Sequence, residues 1–324
     1  MKTLRYLSYS AAVLAYALVV LGGVVRITGS GMGCGDDWPL CNSHLVPPLD
    51  DYRTFIEWGH RQVAALLSIL TLGVVIQAVR TRGEPGASGP GGTLRPAILA
   101  GLLLLIQVLL GAITVWMELP PTTVILHLGV AMAFIAALQV TGFRADTSLG
   151  PCGPIPKRGA ITAAAVMAGA VILLGGLTAN LEAGPACLGF PLCNGKLWPG
   201  SGSSGLPHIH WTHRLVAYAL FFHLLGMTFR FRKPEIPTRV RDAVWYAFGA
   251  VLLQVVVAAV MILAFLPPVW RVLHIAVGTA LWAVLVYAVW LVSDKPVSRL
   301  PGRGGWVGWP GYRATGLPGH RPTR

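Results

Sequence analysis

The chain has 324 residues, of which 54% are hydrophobic and only 11% are charged, a balance that excludes a water-soluble domain of this length. Its apolar runs are continuous rather than alternating, which excludes a transmembrane β-barrel and predicts a membrane protein built from helices. The net charge of +13 does not indicate nucleic-acid binding, because the basic residues lie mainly in loops between apolar runs, where they set membrane orientation.

Eight apolar runs predict eight transmembrane helices. Their spans are 8–26, 55–79, 96–117, 122–142, 159–180, 207–229, 242–265 and 270–292. Of the 25 basic residues, 19 lie before the first run, after the even-numbered runs or in the tail, so both termini are expected to be cytoplasmic. The loops 27–54 and 181–206 then face outward from the cell membrane. The first run also has the pattern of a signal peptide, but a later run matches it, and we keep it as a span.

The two halves of the chain repeat the same features at a nearly constant offset. Trp-Pro-Leu-Cys-Asn at 38–42 returns as Phe-Pro-Leu-Cys-Asn at 190–194, and Glu-Trp-Gly-His-Arg at 57–61 returns as His-Trp-Thr-His-Arg at 210–214. Gln107 and the following Leu-Pro-Pro likewise match Gln254 and its Leu-Pro-Pro. Features that recur in the same order indicate an internal duplication.

Each half contains four spans, so the two copies insert in the same orientation around a pseudo-twofold axis along the membrane normal. We therefore predict an all-α integral membrane fold of eight transmembrane helices, arranged as two tandem four-helix bundles. The first bundle covers 1–150 and the second 151–295. Residues 296–324 are predicted to form a flexible basic cytoplasmic tail that touches anionic lipid headgroups.

Four histidines lie at equivalent depths near the starts of the even-numbered spans: His60, His127, His213 and His274. Each is one to two turns inside its span, roughly 5–10 Å along the helix. Two neutral imidazoles that face each other across a bundle make an axial ligand pair for haem iron, whereas zinc needs four converging ligands. One intramembrane histidine is equally well explained as a hydrogen-bonded core residue, but four at repeat-related positions favour one haem in each half.

Three arginines accompany these histidines. Arg61 and Arg214 directly follow His60 and His213, and Arg271 lies one turn before His274. Guanidinium groups suit the carboxylates of haem propionates, so all three are candidates to bind them. The alternative is that these side chains extend to the outer membrane interface.

Glu57 in the first half is replaced by His210 in the second, which suggests that the halves perform different tasks. Glu57 lies three residues before His60 on the same helical face and is suited to proton transfer beside a haem. The alternative is a capping box, in which Glu57 accepts a hydrogen bond from the backbone of Thr54 at the helix start. We favour the catalytic interpretation.

Cysteines occur in pairs in the two outer loops, with Cys34 and Cys41 in the first and Cys187 and Cys193 in the second, while Cys152 is alone in an inner loop. Pairs on the oxidising side fit disulfides, and both structural stapling and a redox or loop-shaping role remain open. A Cys-x-x-Cys-His attachment motif is absent from the sequence, so any haem is expected to be non-covalent.

Together these motifs resemble the haem A synthase family, membrane enzymes that convert haem O to haem A for aa-type terminal oxidases. The resemblance covers residues 1–294 and includes Gly-Cys-Gly-Asp-Asp-Trp-Pro-Leu-Cys at 33–41. It implies that haem O is oxidised at its C8 methyl to a formyl group, by hydroxylation-type steps and loss of water. The implied roles are the substrate haem for His60 and His127, haem b for His213 and His274, the essential carboxylate for Glu57, and a disulfide for Cys34 with Cys41.

The resemblance also implies the partners. Haem O and haem A are the ligands, haem O synthase and the assembling terminal oxidase are candidate protein partners, lipid surrounds the chain, and a homo-oligomer is compatible with the sequence. Four histidines also fit a di-haem b-type electron carrier linked to quinone, without chemistry on the porphyrin. A haem transporter is a third interpretation, necessarily a secondary transporter because the inner loops contain no P-loop. Glu57 and the difference between the halves favour the enzyme.

Overall fold

The computed structural model describes residues 1–84, 87–89, 91–200 and 204–293. Within these residues the chain forms eight long α-helices and a short 3-10 helix at Gly184–Ala186. The α-helices are α1 (Lys2–Ile27), α2 (Tyr52–Arg80), α3 (Leu94–Trp116), α4 (Pro121–Ala145), α5 (Arg158–Asn180), α6 (Gly205–Arg230), α7 (Thr238–Leu263) and α8 (Pro268–Leu291). The tail predicted at 296–324 lies outside the described residues.

All eight predicted spans are found as helices, and each helix begins one to six residues before its predicted span. The largest difference is at α1, which begins at Lys2. A helix satisfies its backbone hydrogen bonds internally, so it can continue beyond the apolar layer. The residues in these added turns include polar and charged ones, which hydropathy does not count as part of a span. Hydropathy therefore locates the apolar part of each helix and not its end.

Seven of these helices are long and apolar enough to cross a membrane, and the chain is a multi-pass membrane protein. The remaining long helix in the described part of the chain is α6, with 26 residues. Its apolar character is diluted by Arg214 and by the histidines at 208, 210, 213 and 223. The helix that least resembles a membrane span is therefore one that carries candidate ligands.

Equivalent local geometry recurs in the two halves. Glu118 and Leu119 both have positive φ in the turn between α3 and α4, and Phe265 and Leu266 repeat this between α7 and α8. Each turn leads into a helix that starts with proline, a residue whose missing N–H is not needed at that position. The even-numbered helices α4 and α8 thus start in the same way.

The helices pack mainly with others of the same half. Helix α1 contacts α2 and α4, and α3 contacts α2 and α4, while α5 and α7 both contact α6 and α8. Contacts between the halves are made by α1, α4, α5 and α8. Hydrogen bonds support this junction; for example, Trp282 Nε1 donates to Met132 O at 3.0 Å, and Tyr16 Oη donates to Ala276 O at 3.0 Å. The helices that carry His127 and His274 therefore lie at the centre of the molecule.

Candidate active site

The four candidate histidines sit at matched positions in their helices. His60 and His213 each lie eight residues beyond the first residue of α2 and α6, and His127 and His274 each lie six residues beyond the first residue of α4 and α8. At about 1.5 Å per residue, these distances correspond to roughly 12 Å and 9 Å along the helix. The repeat seen in the sequence is thus preserved in the placement of the candidate ligands.

His213 and His274 face each other. Their ring centroids are 6.4 Å apart, and the ring planes make an angle of 67°. A metal–imidazole bond is about 2 Å long, so a metal bound between two imidazoles separates their centroids by roughly 6 Å. The pair therefore has the spacing that one iron atom with two axial imidazoles requires.

The hydrogen bonds of this pair leave the same nitrogen available on both rings. His213 Nδ1 is 3.1 Å from Val171 O, and His274 Nδ1 is 3.1 Å from Nε2 of Gln254. Within the described residues, Nε2 of neither ring has a hydrogen-bond partner. A backbone carbonyl that accepts from Nδ1–H is the usual arrangement that orients a metal-ligating histidine, and Val171 supplies it to His213, whereas the partner of His274 is the amide nitrogen of Gln254. With the spacing of the rings, these residues fit a haem.

The first-half pair is held differently. His60 and His127 lie close enough to interact electrostatically, and Nδ1 of His60 is buried without a hydrogen-bond partner within the described residues. The ring of His127 interacts with the backbone carbonyl of Gln107 but with no side-chain amide. A buried polar group without a partner costs about 1–3 kcal/mol. The two halves therefore contain the same histidines but not the same support around them.

Glycines on neighbouring helices make room for three of the rings. A Cβ atom at Gly22 on α1 would lie 3.4 Å from Cε1 of His60, and one at Gly175 on α5 would lie 3.0 Å from Cε1 of His213. Gly111 on α3 stands in the same relation to His127, at 3.4 Å. Gly22 and Gly175 are 153 residues apart and so occupy equivalent positions in the repeat, and each contacts the histidine ring of its own half.

Glu57 is buried, with 4% of its surface exposed, and both carboxylate oxygens have partners. Oε2 accepts a hydrogen bond from the backbone N–H of Cys34 at 2.8 Å, and Oε1 accepts one from Nη2 of Arg61 at 2.6 Å. The alternative capping box with Thr54 does not form, because α2 begins earlier, with Asp51 as its N-cap. Glu57 therefore joins the Cys34–Cys41 loop to α2 instead of closing the helix end.

His210 replaces this carboxylate in the second half. Its Nδ1 lies 3.2 Å from Ala183 O, and its Nε2 accepts from Nε of Arg214 at 3.2 Å. The second half thus keeps the contact between this position and the arginine four residues later, but without a negative charge. An ion pair in the first half becomes a hydrogen bond between an imidazole and a guanidinium group in the second.

Arg61 and Arg214 anchor the two loops. Arg61 donates to the backbone carbonyls of Asp37 and Leu40. Arg214 donates to the carbonyls of Cys187, Gly189 and Leu192. Sequence reasoning missed this role, and propionate binding by these two residues stays a prediction.

Arg271 makes no hydrogen bond or ion pair with any residue that the structure describes. It lies close enough to interact electrostatically with Arg26, whose Nε donates to Oδ1 of Asn180 at 3.0 Å. Two neighbouring guanidinium groups, one of them unpaired, are suited to an anionic group. Arg271 is thus the predicted propionate-binding arginine that the structure leaves available.

Both predicted disulfides are formed, between Cys34 and Cys41 and between Cys187 and Cys193, and Cys152 is free. All four disulfide cysteines are buried. Since the carbonyl of Cys187 accepts from Arg214 and the N–H of Cys34 donates to Glu57, each disulfide loop is tied to the helix that carries the first histidine of its half.

The chain is similar to known proteins over most of its length. The family model COX15-CtaA, described as cytochrome oxidase assembly protein, matches residues 5–286. A protein of Symbiobacterium thermophilum named heme A synthase is 32% identical over 92% of this chain and 98% of its own length. Another of that name, from Halalkalibacterium halodurans, is 30% identical over 85% of this chain and 92% of its own.

A Thermus thermophilus protein named protoheme IX farnesyltransferase is 28% identical over 93% of this chain, but this match covers only 51% of the Thermus protein. The match to the family model extends from α1 into α8 and includes all four candidate histidines and Glu57. The chain therefore belongs to the COX15-CtaA family of cytochrome oxidase assembly proteins, the haem A synthase family.

Proposed function

We propose that this protein is a haem A synthase that oxidises the C8 methyl group of haem O to a formyl group. The observation that carries the proposal is the difference between the halves around matched histidines. In the first half, a buried carboxylate lies one helical turn from His60. In the second half, the carboxylate is absent and Nδ1 of each histidine has a partner that orients the ring, which supports a permanently held redox group there.

The proposed division of labour assigns haem O to His60 and His127, and haem b to His213 and His274. When bound, haem b would supply a one-electron redox centre beside the substrate half. Glu57 holds or moves a proton beside the substrate, while Arg61 keeps the carboxylate in place. The disulfide loops fix these side chains at the helix starts.

The proposed propionate sites follow from which arginines have free donors. Arg271 shares a helical face with His274 and has no protein partner in the described residues, so it is our first candidate for a propionate of haem b. Arg61 and Arg214 already donate to loop carbonyls, but each guanidinium has five N–H donors and keeps capacity for a further bond. We assign them to propionates in the first and second half, respectively.

The proposed architecture is two four-helix bundles, covering 1–150 and 151–295, related by a pseudo-twofold axis. The helix contacts within each half, the matched depths of the histidines and the matched interhelical turns support it. With the charge pattern of the loops, we place the protein in the cell membrane with both termini in the cytoplasm and the disulfide loops outside.

The protein named protoheme IX farnesyltransferase in Thermus supports a proposal about partners. Roughly half of its length resembles this chain, so one polypeptide joins a segment of this type to another segment. We propose that haem O synthase docks on this protein and delivers haem O, and that haem A passes on to an assembling terminal oxidase. A homo-oligomer is compatible with this arrangement.

The test of the activity is Glu57→Gln in cells that make haem O and have no other source of haem A. The variant keeps the size of the side chain and the hydrogen bond from Cys34, but it cannot take up a proton. We expect both haems to be retained and haem A formation to fall about 100-fold or more, the usual contribution of a general acid or base. Extraction and chromatography of the haems measure both quantities.

The matched control is Glu182→Gln, an exposed carboxylate in the loop after α5, which is expected to leave haem A formation unchanged. Haem A production by Glu57→Gln at the unmodified rate would refute the catalytic assignment.

The alternative function, a di-haem electron carrier, is favoured only by the paired rings of His213 and His274. Cells that express a carrier would contain haem O and haem b but no haem A.

A further inference from the structure

Gln254 on α7 contacts the second histidine of its half. Its Nε2 atom is 3.1 Å from His274 Nδ1 and 2.9 Å from the backbone carbonyl of His274. Gln107 on α3 occupies the equivalent position in the first half, with an offset of 147 residues, and it lies the same 20 residues before its histidine, His127. The two glutamines are thus equivalent in sequence and can be compared directly.

The same contact is missing in the first half. Oε1 of Gln107 is buried and has no hydrogen-bond partner within the described residues, and the ring of His127 interacts with the backbone carbonyl of Gln107 and not with its amide. A buried amide oxygen that does not pair with the histidine twenty residues away requires an explanation. The sequence around them supplies one.

The space for the amide differs between the halves. A Cβ atom added at Gly278 would lie 3.2 Å from Nε2 of Gln254, so the glycine leaves the place that the amide uses. The equivalent residue in the first half is Ala131, which already carries that methyl group and is buried. The reverse exchange occurs on the neighbouring helix, where Gly111 faces the ring of His127 and its equivalent is Ala258.

We infer that Gln254 and Gly278 hold the ring of His274 in place, whereas in the first half Ala131 takes the space of the amide and the side chain of Gln107 does not hold the ring of His127. The inference rests on the proposed function, in which both histidines ligate haem. Gln254 is then a positioning residue for the permanent haem b. His127, without an amide partner, belongs to the site where haem O has to enter and haem A has to leave.

The amide of Gln254 suits this role because it offers a donor and an acceptor. Its Oε1 is buried and unpaired in the described structure. When Nε2 of His274 ligates iron, Nδ1 carries the proton, and the amide accepts it through Oε1 after it turns over and gives up its hydrogen bond to the backbone carbonyl of His274. A second partner of this kind fixes the tautomer and the ring orientation of the ligand, and its loss commonly weakens metal binding about 10–100-fold.

The experiment compares Gln254→Leu with the matched variant Gln107→Leu in the full-length protein, purified with its haems. The rate of haem b transfer to excess apomyoglobin and the low-spin electron paramagnetic resonance spectrum of the bound haem are measured. We expect Gln254→Leu to release haem b about 10–100-fold faster and to shift the spectrum. Gln107→Leu is expected to change neither readout more than twofold.

A second pair of variants separates locking from folding. Gly278→Ala adds a methyl group at the amide and is expected to shift the spectrum in the same direction as Gln254→Leu, with a smaller effect. Ala131→Gly gives the amide of Gln107 the space that Gly278 leaves for Gln254, and we expect it to retain added haem O several-fold longer than the unmodified protein. Such a gain cannot result from loss of folding.

The outcomes distinguish the two proposals. Equal effects of the two leucine variants on haem b release, or no gain in haem O retention, overturn the inference while the proposed function stands. An unmodified protein that binds no haem b overturns the proposed function itself. A large effect of Gln254→Leu alone, together with the gain in the first half, supports the inference.

Discussion

At the scale of single residues, the site depends on a carboxylate that is buried and paired. A buried charge without a partner is strongly unfavourable, and Arg61 supplies the compensating charge to Glu57. Each carboxylate oxygen accepts one hydrogen bond here and has a further lone pair, so Glu57 keeps acceptor capacity for a proton of the substrate or of water. Pairing and catalysis are therefore compatible at this residue.

Arg61→Gln is expected to destabilise the protein by removing the partner of a buried charge. Breaking a buried pair on one side costs about 3–5 kcal/mol, and the remaining exposure of the arginine side chain, 13%, argues for the lower end. The double variant with Glu57→Gln should lose less than the sum of the single variants, because no unpaired charge is left. Denaturation in detergent measures this coupling.

Arg53→Gln is the control for this comparison of single and double variants. Arg53 lies on the same helix as Arg61, but it is exposed, and its side chain donates a hydrogen bond to the neighbouring Tyr52. We expect it to change the free energy of unfolding by less than about 0.5 kcal/mol. Additive effects of the Arg61 and Glu57 variants would show that the ion pair does not stabilise the fold, and they would contradict the pairing role of Arg61.

At the scale of helices, α1 and α5 act as platforms against which a histidine ring lies. Their glycines, Gly22 and Gly175, lie close to the rings of His60 and His213. At Gly175 the approach is so close that any side chain would displace the ring of His213. Protein interiors are close-packed, and a ring displaced by a few tenths of an ångström changes its geometry toward a metal. In the proposed function, α1 and α5 thus help to set the geometry of the histidine ligands although neither helix carries one.

Gly175→Ala is expected to displace the ring of His213, because the new Cβ atom would lie 3.0 Å from Cε1. We expect the low-spin haem spectrum to shift and the amount of bound haem b to fall several-fold. Gly22→Ala should act more weakly on the first-half haem, since its contact of 3.4 Å is near ordinary van der Waals distance. Visible and electron paramagnetic resonance spectra measure both effects.

Gly226→Ala in α6 provides the comparison, because a Cβ atom there meets nothing within 4 Å. Its spectrum should match that of the unmodified protein, and alanine favours the helix over glycine. If Gly175→Ala and Gly226→Ala gave the same spectrum, the close approach of α5 to His213 would have no role in ligand geometry.

At the scale of the whole molecule, the sequence predicted all eight helices and the histidine positions, since apolar runs and repeat offsets are local features. The partners of Glu57 could not be predicted in this way, because the bond from Cys34 joins a loop to a helix 23 residues away. The contact between Gln254 and His274 depends on how α7 packs on α8, which no periodicity encodes. Gln107 and Gln254 had appeared only as markers of the repeat.

The two disulfides were predicted correctly, since paired cysteines in equivalent outer loops are a sequence pattern. Their attachment to the site through Arg61 and Arg214 was missed, because a guanidinium group next to a candidate haem ligand suggested propionates instead. The packing of α1, α4, α5 and α8 between the halves also became evident only in three dimensions. Sequence patterns thus located the candidate residues, and tertiary packing showed which contacts hold them.

The central claim is that the two halves hold two different haems, and haem extraction from single histidine variants tests it most directly. His213→Ala and His274→Ala are expected to lose the haem b spectrum, while His60→Ala and His127→Ala keep it and fail to make haem A. The same loss of haem b from all four variants, or retention of haem b by His213→Ala and His274→Ala, would contradict the assignment.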